Sequence, residues 1–540
     1  MGWTISRTLG AIALDKLVDI SLVTIKRIVR RKIEQEIERN FKRKRGIDID
    51  NPEIDIVILA IRAVQKYVTD LPSTLMNDLT KELLKSLVDY EYYLEDARHI
   101  RLYFTVIIEL ALSPNLTCFH DEWILFQDNM DIIDSKVSYF RRLFKCSNLR
   151  ELSLTRNPQT GNVRRTIIKT FPSFSHLTTL FLLPENTAES FHWVISSVVH
   201  SCPKLKIFHI VYDGQRLEHQ EDRVGIKDIV QCRDLVSLFL YDCSKFTSVN
   251  VVDDLHKLLM GLKYLKYIFH KRMISAILEL STRISGQLRL ERLDFFQDYE
   301  DMAYRYMNGY KILVDTDELF RLCKTCPAIK VLRLAQPPKC LLAIASILPN
   351  LEVLDMTECH DIIGNLHQTI HHNLLTGLTI LKLTDVSYMD YGFFSELARS
   401  CPSLEAISIE RSTIIANGQL IKPRVSAFPF LKKLILKPQT PIDMWEVGIN
   451  LTYYFLTGAY EIRHVDIQYD PFYMDIEDNP TNLPRPNIFM SLKRLTFIRL
   501  ITAPHILCNP VKDFISRNSL IRIISYCDCH IIALRQEGQW

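Results

Sequence analysis

Leu404, Ile407 and Ile409 follow a Cys401-Pro402 pair, and ahead of that pair Phe393, Phe394, Leu397 and Ala398 recur at helical spacing. Within about two dozen residues the apolar period therefore switches from that of a helix to that of a strand. Proline ends the helix, because it has no N–H to donate and its ring clashes with the preceding turn. The L-x-x-L-x-L frame that follows sets its last two apolar residues on one face of a short strand. A helix and strand this small cannot bury their own apolar faces, so the unit requires similar units stacked on either side.

The same frame recurs at Leu149-Leu152-Leu154, Leu177-Leu180-Leu182, Leu205-Phe208-Ile210, Leu235-Leu238-Leu240, Leu290-Leu293-Phe295, Ile329-Leu332-Leu334, Leu351-Leu354-Met356, Leu378-Leu381-Leu383, Leu431-Leu434-Leu436, Ile462-Val465-Ile467 and Leu492-Leu495-Phe497. Weaker copies are Leu265-Ile268 and Leu520-Ile523. Starts lie mostly 25 to 31 residues apart, with one gap of 39 before Ile329 that reads as an insertion. The expected fold class is α/β, a leucine-rich-repeat solenoid (arc or horseshoe) preceded by an N-terminal helical region. Residues 1–145 form that helical region and 146–540 an array of about 14 repeats, with strands on the concave side. Leu354, Leu381 and Leu434 belong to its core.

Ser201-Cys202-Pro203-Lys204-Leu205, Thr325-Cys326-Pro327-Ala328-Ile329 and Ser400-Cys401-Pro402-Ser403-Leu404 resemble the helix-to-strand junction of the cysteine-containing repeats of F-box/leucine-rich-repeat proteins. Cys146 and Cys232 hold the same place without proline, and Asn157, Cys243 and Cys359 match the family's Asn or Cys eight residues after the first Leu. Glu185, Val386 and Ser412 depart from it there. The resemblance covers about the last three-quarters of the chain. It implies a substrate receptor of a cullin-type ubiquitin ligase, non-enzymatic, holding a protein substrate while other subunits transfer ubiquitin. The competing class is a leucine-rich-repeat scaffold or effector without ligase attachment.

A net charge of +3 makes no general case for a nucleic-acid or membrane-surface partner. Thirteen Cys in so long a chain read as small buried hydrophobes of a reducing compartment, cytoplasmic or nuclear. No run of 18 apolar residues and no secretory pattern occur. Met1-Gly2 opens a bare myristoylation frame, with bulky Trp3 beside the acceptor. The basic run Lys42-Arg43-Lys44-Arg45 reads as a solvated helix end, with a nuclear import signal or an RNA contact as the alternative.

Between residues 54 and 88 an apolar helix face is broken at Leu71-Pro72 and a second helix begins at the proline. The segment resembles an F-box, which opens with Leu-Pro and binds a Skp-type adaptor, through Leu71, Pro72, Leu75, Leu79, Leu83 and Leu84. It departs where that family carries a Trp-containing third helix, since the next Trp is Trp123. It also resembles an elongin-binding box, with Ile56, Ala60 and Val64, or Leu9, Ala13 and Leu17, on the first helix. The alternative is a helical cap over the exposed apolar end of the first repeat.

No Gly-x-Ser-x-Gly elbow, phosphate loop or His-Glu-x-x-His occurs, so neither an enzyme nor a cofactor is expected. Cys323-Lys324-Thr325-Cys326 and Cys527-Asp528-Cys529-His530 have zinc-like spacing, but the repeat frame already accounts for Cys326 and the other lacks a second pair. Cys118, the sole thiol before residue 146, lies beside Phe119 and His120 with no acid partner visible in sequence. No metal site is expected.

In-strand x positions of such repeats face the concave surface, where they are usually polar. Here they include Phe181, Phe239, Tyr241, Tyr267, Phe269 and Phe296, with Arg292 and Asp294 beside them. The expectation is an exposed aromatic band that binds the partner protein, set against coverage of the band by the chain itself. The C-terminal repeats present Lys382, Glu410, Lys433, Lys437, Asp466 and Arg494 instead.

Overall fold

The computed structural model describes residues 72–91, 111–120, 143, 146–154, 171–182, 191–212, 226–242, 251–283, 286–296, 312–336, 341–358, 366, 368–370, 372, 375–387, 389–415, 427–437, 444–468, 492–501, 511, 513–517, 521–527 and 530–535. Leu71, the stripes before it, the basic run, Asn157, Cys243, Cys359, Glu185 and residues 297–311 of the insertion before Ile329 lie outside these residues. The chain divides into two compact units, residues 1–276 with Trp540, and residues 277–539.

In the first unit helix α1 (Ser73–Glu91) precedes strands β1 (Cys118–His120), β2 (Glu151–Leu154), β3 (Thr179–Leu182), β4 (Ile207–Tyr212), β5 (Ser237–Asp242) and β6 (Tyr267–Phe269). Helices α2 (Phe191–Ser201) and α3 (Val251–Gly261) link β3 to β4 and β5 to β6, and α4 (Met273–Arg283) carries the chain past the boundary at residue 276. Each strand pairs in parallel with the next in sequence. In the second unit β7 (Arg292–Asp294), α5 (Thr316–Thr325), β8 (Val331–Ala335), α6 (Leu341–Ile347), β9 (Val353–Thr357), β10 (Ile380–Thr384), α7 (Tyr391–Ser400), β11 (Ala406–Glu410), β12 (Lys433–Lys437), α8 (Met444–Leu456), β13 (His464–Gln468) and β14 (Phe497–Ile501) continue the pattern. Parallel pairing again runs in sequence order through β14. The fold is α/β with fourteen parallel strands in sheets that do not close into a barrel.

The junctions show why the sequence folds so. Cys326 and Cys401 cap α5 and α7, each returning its N–H to a carbonyl of the last turn, at Leu322 and Leu397. The first leucine-frame residue then donates back to the cysteine carbonyl, Leu205 to Cys202 at 3.2 Å and Leu404 to Cys401 at 3.3 Å. The next two N–H groups share one carbonyl of the previous repeat, as Lys206 and Ile207 do on Thr178 at 2.8 and 3.0 Å. Backbone polar groups at the turn are thereby satisfied by the neighbouring unit, which is what allows the turn to be buried. Leu354, Leu381 and Leu434 are fully buried, as are Phe393, Phe394, Phe428 and Phe455 of the helical side. Gly261 lets α3 close on its neighbour, since a Cβ there would sit 2.2 Å from Val230 Cγ2.

Three expectations need correction. The sheet begins before residue 146: Leu116 and Phe119 are buried, Leu116 donates to Ser113 O, and β1 pairs with β2. Ser113-Pro114 stands where later repeats have Cys-Pro. The frame at β14 is Leu495-Ile498-Leu500, because Val465 pairs with Ile498 and Leu492 occupies the cysteine place, its carbonyl accepting from Leu495 N. A leucine three residues early makes the two registers indistinguishable by pattern. Finally, Leu520-Ile523 does not begin another parallel repeat. β15 (Ile521–Cys527) and β16 (His530–Arg535) form an antiparallel hairpin, with β16 against β14. The two residues between them are far too few for a parallel crossover.

Candidate functional site

Alternate strand residues point away from the leucine core and form rows across each sheet. In the second unit the middle row, set by register, is Asp294, Arg333, Asp355, Lys382, Ser408, Ile435, Asp466 and Arg499. Charges alternate along most of it. Arg292 donates two hydrogen bonds to Asp294 at 2.7 and 2.9 Å, and Arg333 Nε donates to Asp355 at 3.0 Å. The Arg333 guanidinium lies 4.7 Å from the Phe296 ring centroid. Lys437 bridges Glu410 and Asp466 at 3.3 and 3.5 Å, and Arg499 forks onto Asp466 with Nε at 2.8 Å.

At Asp355 and Asp466 a buried carboxylate lies beneath a more exposed cation. Side-chain exposure is 6% at Asp355 against 49% at Lys382, and 3% at Asp466 against 34% at Arg499. Burial pushes the Asp466 carboxyl up, but the Arg499 hydrogen bonds and the Lys437 charge outweigh it and hold it below the ordinary carboxylate range. Beyond the strand ends Gln336, Glu358, Asp385 and Arg411 all adopt left-handed φ between 47° and 57°. Each donates its N–H to the next repeat, and Arg411 grips Asp385 with two hydrogen bonds of 2.9 Å. These positions lock polar side chains into a rim beside the charged row.

The first unit's rows are aromatic. Phe181, His209, Phe239 and Phe269 follow one another in register, with Phe239 and Phe269 stacked at 4.7 Å and 10°. Phe181 meets His209 edge-on at 4.9 Å, and Tyr241 stacks near Phe269 at 6.3 Å. The expectation of an exposed band is corrected here. Phe239 and Phe269 are buried, Tyr241 lies at the buried limit, and only Phe181 and Tyr267 are half-exposed. Parallel strands set equivalent residues about 4.8 Å apart, the thickness of stacked rings, so each ring covers its neighbours' faces. In the second unit Phe296 and Asp294 are buried and Arg292 is half-exposed.

Helix α1 covers β1. Asn77 Oδ1 accepts from Thr117 N and Cys118 N at 3.1 and 3.2 Å, and Thr80 Oγ1 donates to Ala111 O at 2.9 Å. Leu79, Leu83 and Leu84 are fully buried and Leu75 partly so. The surface this helix offers is Pro72, Ser73, Thr74, Asp78 and Lys81.

The structure also assembles a cluster that the sequence analysis missed. Cys118 and His120 lie on one face of β1, and Cys118 pairs in register with Glu151 of β2. His120 Nε2 is 3.1 Å from Cys118 Sγ and 3.0 Å from Glu151 Oε1. The hydrogen bond from His120 holds the Glu151 carboxyl below its ordinary range despite partial burial. Burial, with the Glu151 charge beside it, pushes the Cys118 thiol up to about 12. The Cys-x-His alternation was visible; the glutamate, one repeat away, was not. Cys323 and Cys326 are both buried, and burial raises the Cys326 thiol. Cys527 and His530 are paired in backbone register across the terminal hairpin, with Asp528 and Cys529 outside the described residues.

The chain matches no protein-family model, and no curated protein proves similar to it.

Proposed function

We propose that this chain is a non-enzymatic protein-binding repeat protein, a leucine-rich-repeat solenoid whose charged sheet face in the second unit holds a partner protein. The observation that carries this reading is the row of ion pairs from Arg292 to Arg499, in which the half-exposed Arg292 and Arg499 and the exposed Lys382 lie over the buried carboxylates of Asp294, Asp466 and Asp355, while Arg333 is buried with Asp355. Parallel sheets are usually covered on both faces. A face of fixed, paired charges is instead suited to a polar interface, because its side chains are ordered before binding and lose little entropy on contact. Lys382, Lys433, Lys437 and Arg499 fit a partner with an acidic surface.

Attachment to a cullin-type ubiquitin ligase, through a Skp-type adaptor or elongins, is the second reading and rests on the Cys-Pro junctions at Cys202, Cys326 and Cys401. With Leu79, Leu83 and Leu84 in the core, an adaptor would dock on the Pro72–Lys81 surface or on residues before it. Otherwise α1 serves as a cap. Affinity capture of the tagged chain from cells, with mass spectrometry, tests both. Lys382→Gln with Lys433→Gln should weaken capture of the partner while shifting the melting temperature little. A partner retained by that variant refutes the charged-face reading. Recovery of neither adaptor class refutes the ligase reading alone.

A further inference from the structure

We propose that Cys118, His120 and Glu151 form a binding site for a zinc-class divalent transition metal. The three side chains belong to two hydrogen-bonded parallel strands, and one ligand atom from each lies within 4.8 Å of the others. Tetrahedral zinc, with bonds of about 2.3 Å to sulfur and 2.0–2.1 Å to nitrogen and oxygen, needs ligand atoms about 3.5 Å apart for S···N and about 3.3 Å for N···O. The observed separations are 3.1 and 3.0 Å. Both separations from His120 Nε2 are thus within a few tenths of an ångström of the zinc values, and the third, from Cys118 Sγ to the Glu151 carboxylate, lies within 4.8 Å.

Chemistry selects the class of ion. Thiolate and imidazole favour zinc and its neighbours, whereas magnesium and calcium require oxygen ligands throughout. The arrangement is unlike a nucleophile site, because both the thiol and the carboxylate converge on the same ring nitrogen. A relay would use one nitrogen for each. On metal binding the thiol proton leaves to solvent, a sulfur–metal bond forms, and the Glu151 carboxylate becomes a ligand.

The supporting shell is rigid. Asn77 of α1 fixes the backbone on either side of the Thr117–Cys118 peptide, and Phe119 between the ligands is anchored in the core. All three ligand side chains are half-exposed. An ion held by them therefore keeps a fourth position open to water or to a side chain of a bound partner, as in open zinc sites.

The test uses the full-length chain, freed of metal by chelation and titrated with Co²⁺. One equivalent should produce a thiolate-to-cobalt charge-transfer band in the near ultraviolet, and Zn²⁺ should bleach it. Cys118→Ser should abolish the band, and Glu151→Gln should weaken binding on the order of tenfold or more. A second measurement needs no variant. X-ray absorption of the one-to-one Zn²⁺ complex should show one sulfur at about 2.3 Å together with nitrogen and oxygen at about 2.0–2.1 Å. No band, a band that survives Cys118→Ser, or a zinc shell without sulfur overturns the assignment.

Discussion

Acidification should destabilise the first unit through His270. This residue follows β6 and is 2% exposed, and its Nδ1 accepts a hydrogen bond from Arg272 N at 3.0 Å. Burial, with Lys271 and Arg272 adjoining, lowers its pKa from 6.5 to about 3. At pH 7 the ring is neutral in both folded and unfolded chains. As pH falls below 6.5 only the unfolded chain takes up the proton, so stability is present above 6.5 and lost progressively toward pH 3. At pH 5 the difference of 1.5 pH units from the unfolded value corresponds to about 2 kcal/mol. The assay is urea unfolding of wild type and His270→Asn at pH 7 and pH 5. Asn places a carbonyl oxygen where Nδ1 accepts, so the Arg272 hydrogen bond persists and only the titration is lost. Every other histidine contributes equally to both proteins and cancels. Wild type should lose about 2 kcal/mol more than the variant, and equal losses would refute the burial argument.

Further predictions concern packing, charge and thiols. Leu381→Ala should cost about 2–5 kcal/mol in chemical unfolding, because its side chain is fully enclosed and the neighbouring repeats cannot collapse into the gap. Phe239→Ser with Phe269→Ser should lower the melting temperature markedly; an unchanged melting temperature would mean the aromatic rows are surface after all. Arg333→Ala should cost about 3 kcal/mol by removing the closest cation from the buried Asp355 carboxylate and leaving it only the more distant Lys382, and Arg333→Met with Asp355→Leu should recover most of it. Cys202 and Cys401, whose thiols burial pushes up to about 12, should resist iodoacetamide in the native protein at pH 8 and react fully in urea.

The repeat was legible because it is written in local terms. A helix stripe, a Cys-Pro stop and a leucine alternation each depend on residues a few positions apart, and from Leu149 to Ile467 nearly every frame residue is buried. Local pattern failed where two local answers were equally good, as at Leu492 and Leu495, or where chain length decided topology, as at the short link between Cys527 and His530. It also under-read β1, where Ser113 replaces the usual cysteine.

Rows across the sheets were a different matter. That Phe239 would lie in register with Phe269 follows from the repeat frame, but its burial depends on how closely neighbouring rings stack, which is a property of the assembled sheet. The alternating signs at Arg333, Asp355 and Lys382 become a salt-bridged row only when parallel pairing sets consecutive strands side by side. Leu79, Leu83 and Leu84 read equally well as a docking stripe or as a cap, and only the folded chain shows that they are buried. The sequence by itself determined the unit, its period and its core, because those are set by backbone sterics and hydrophobic alternation. The tertiary structure alone brought Glu151 to Cys118 and His120, because their meeting depends on the register between two strands, which neither strand encodes by itself.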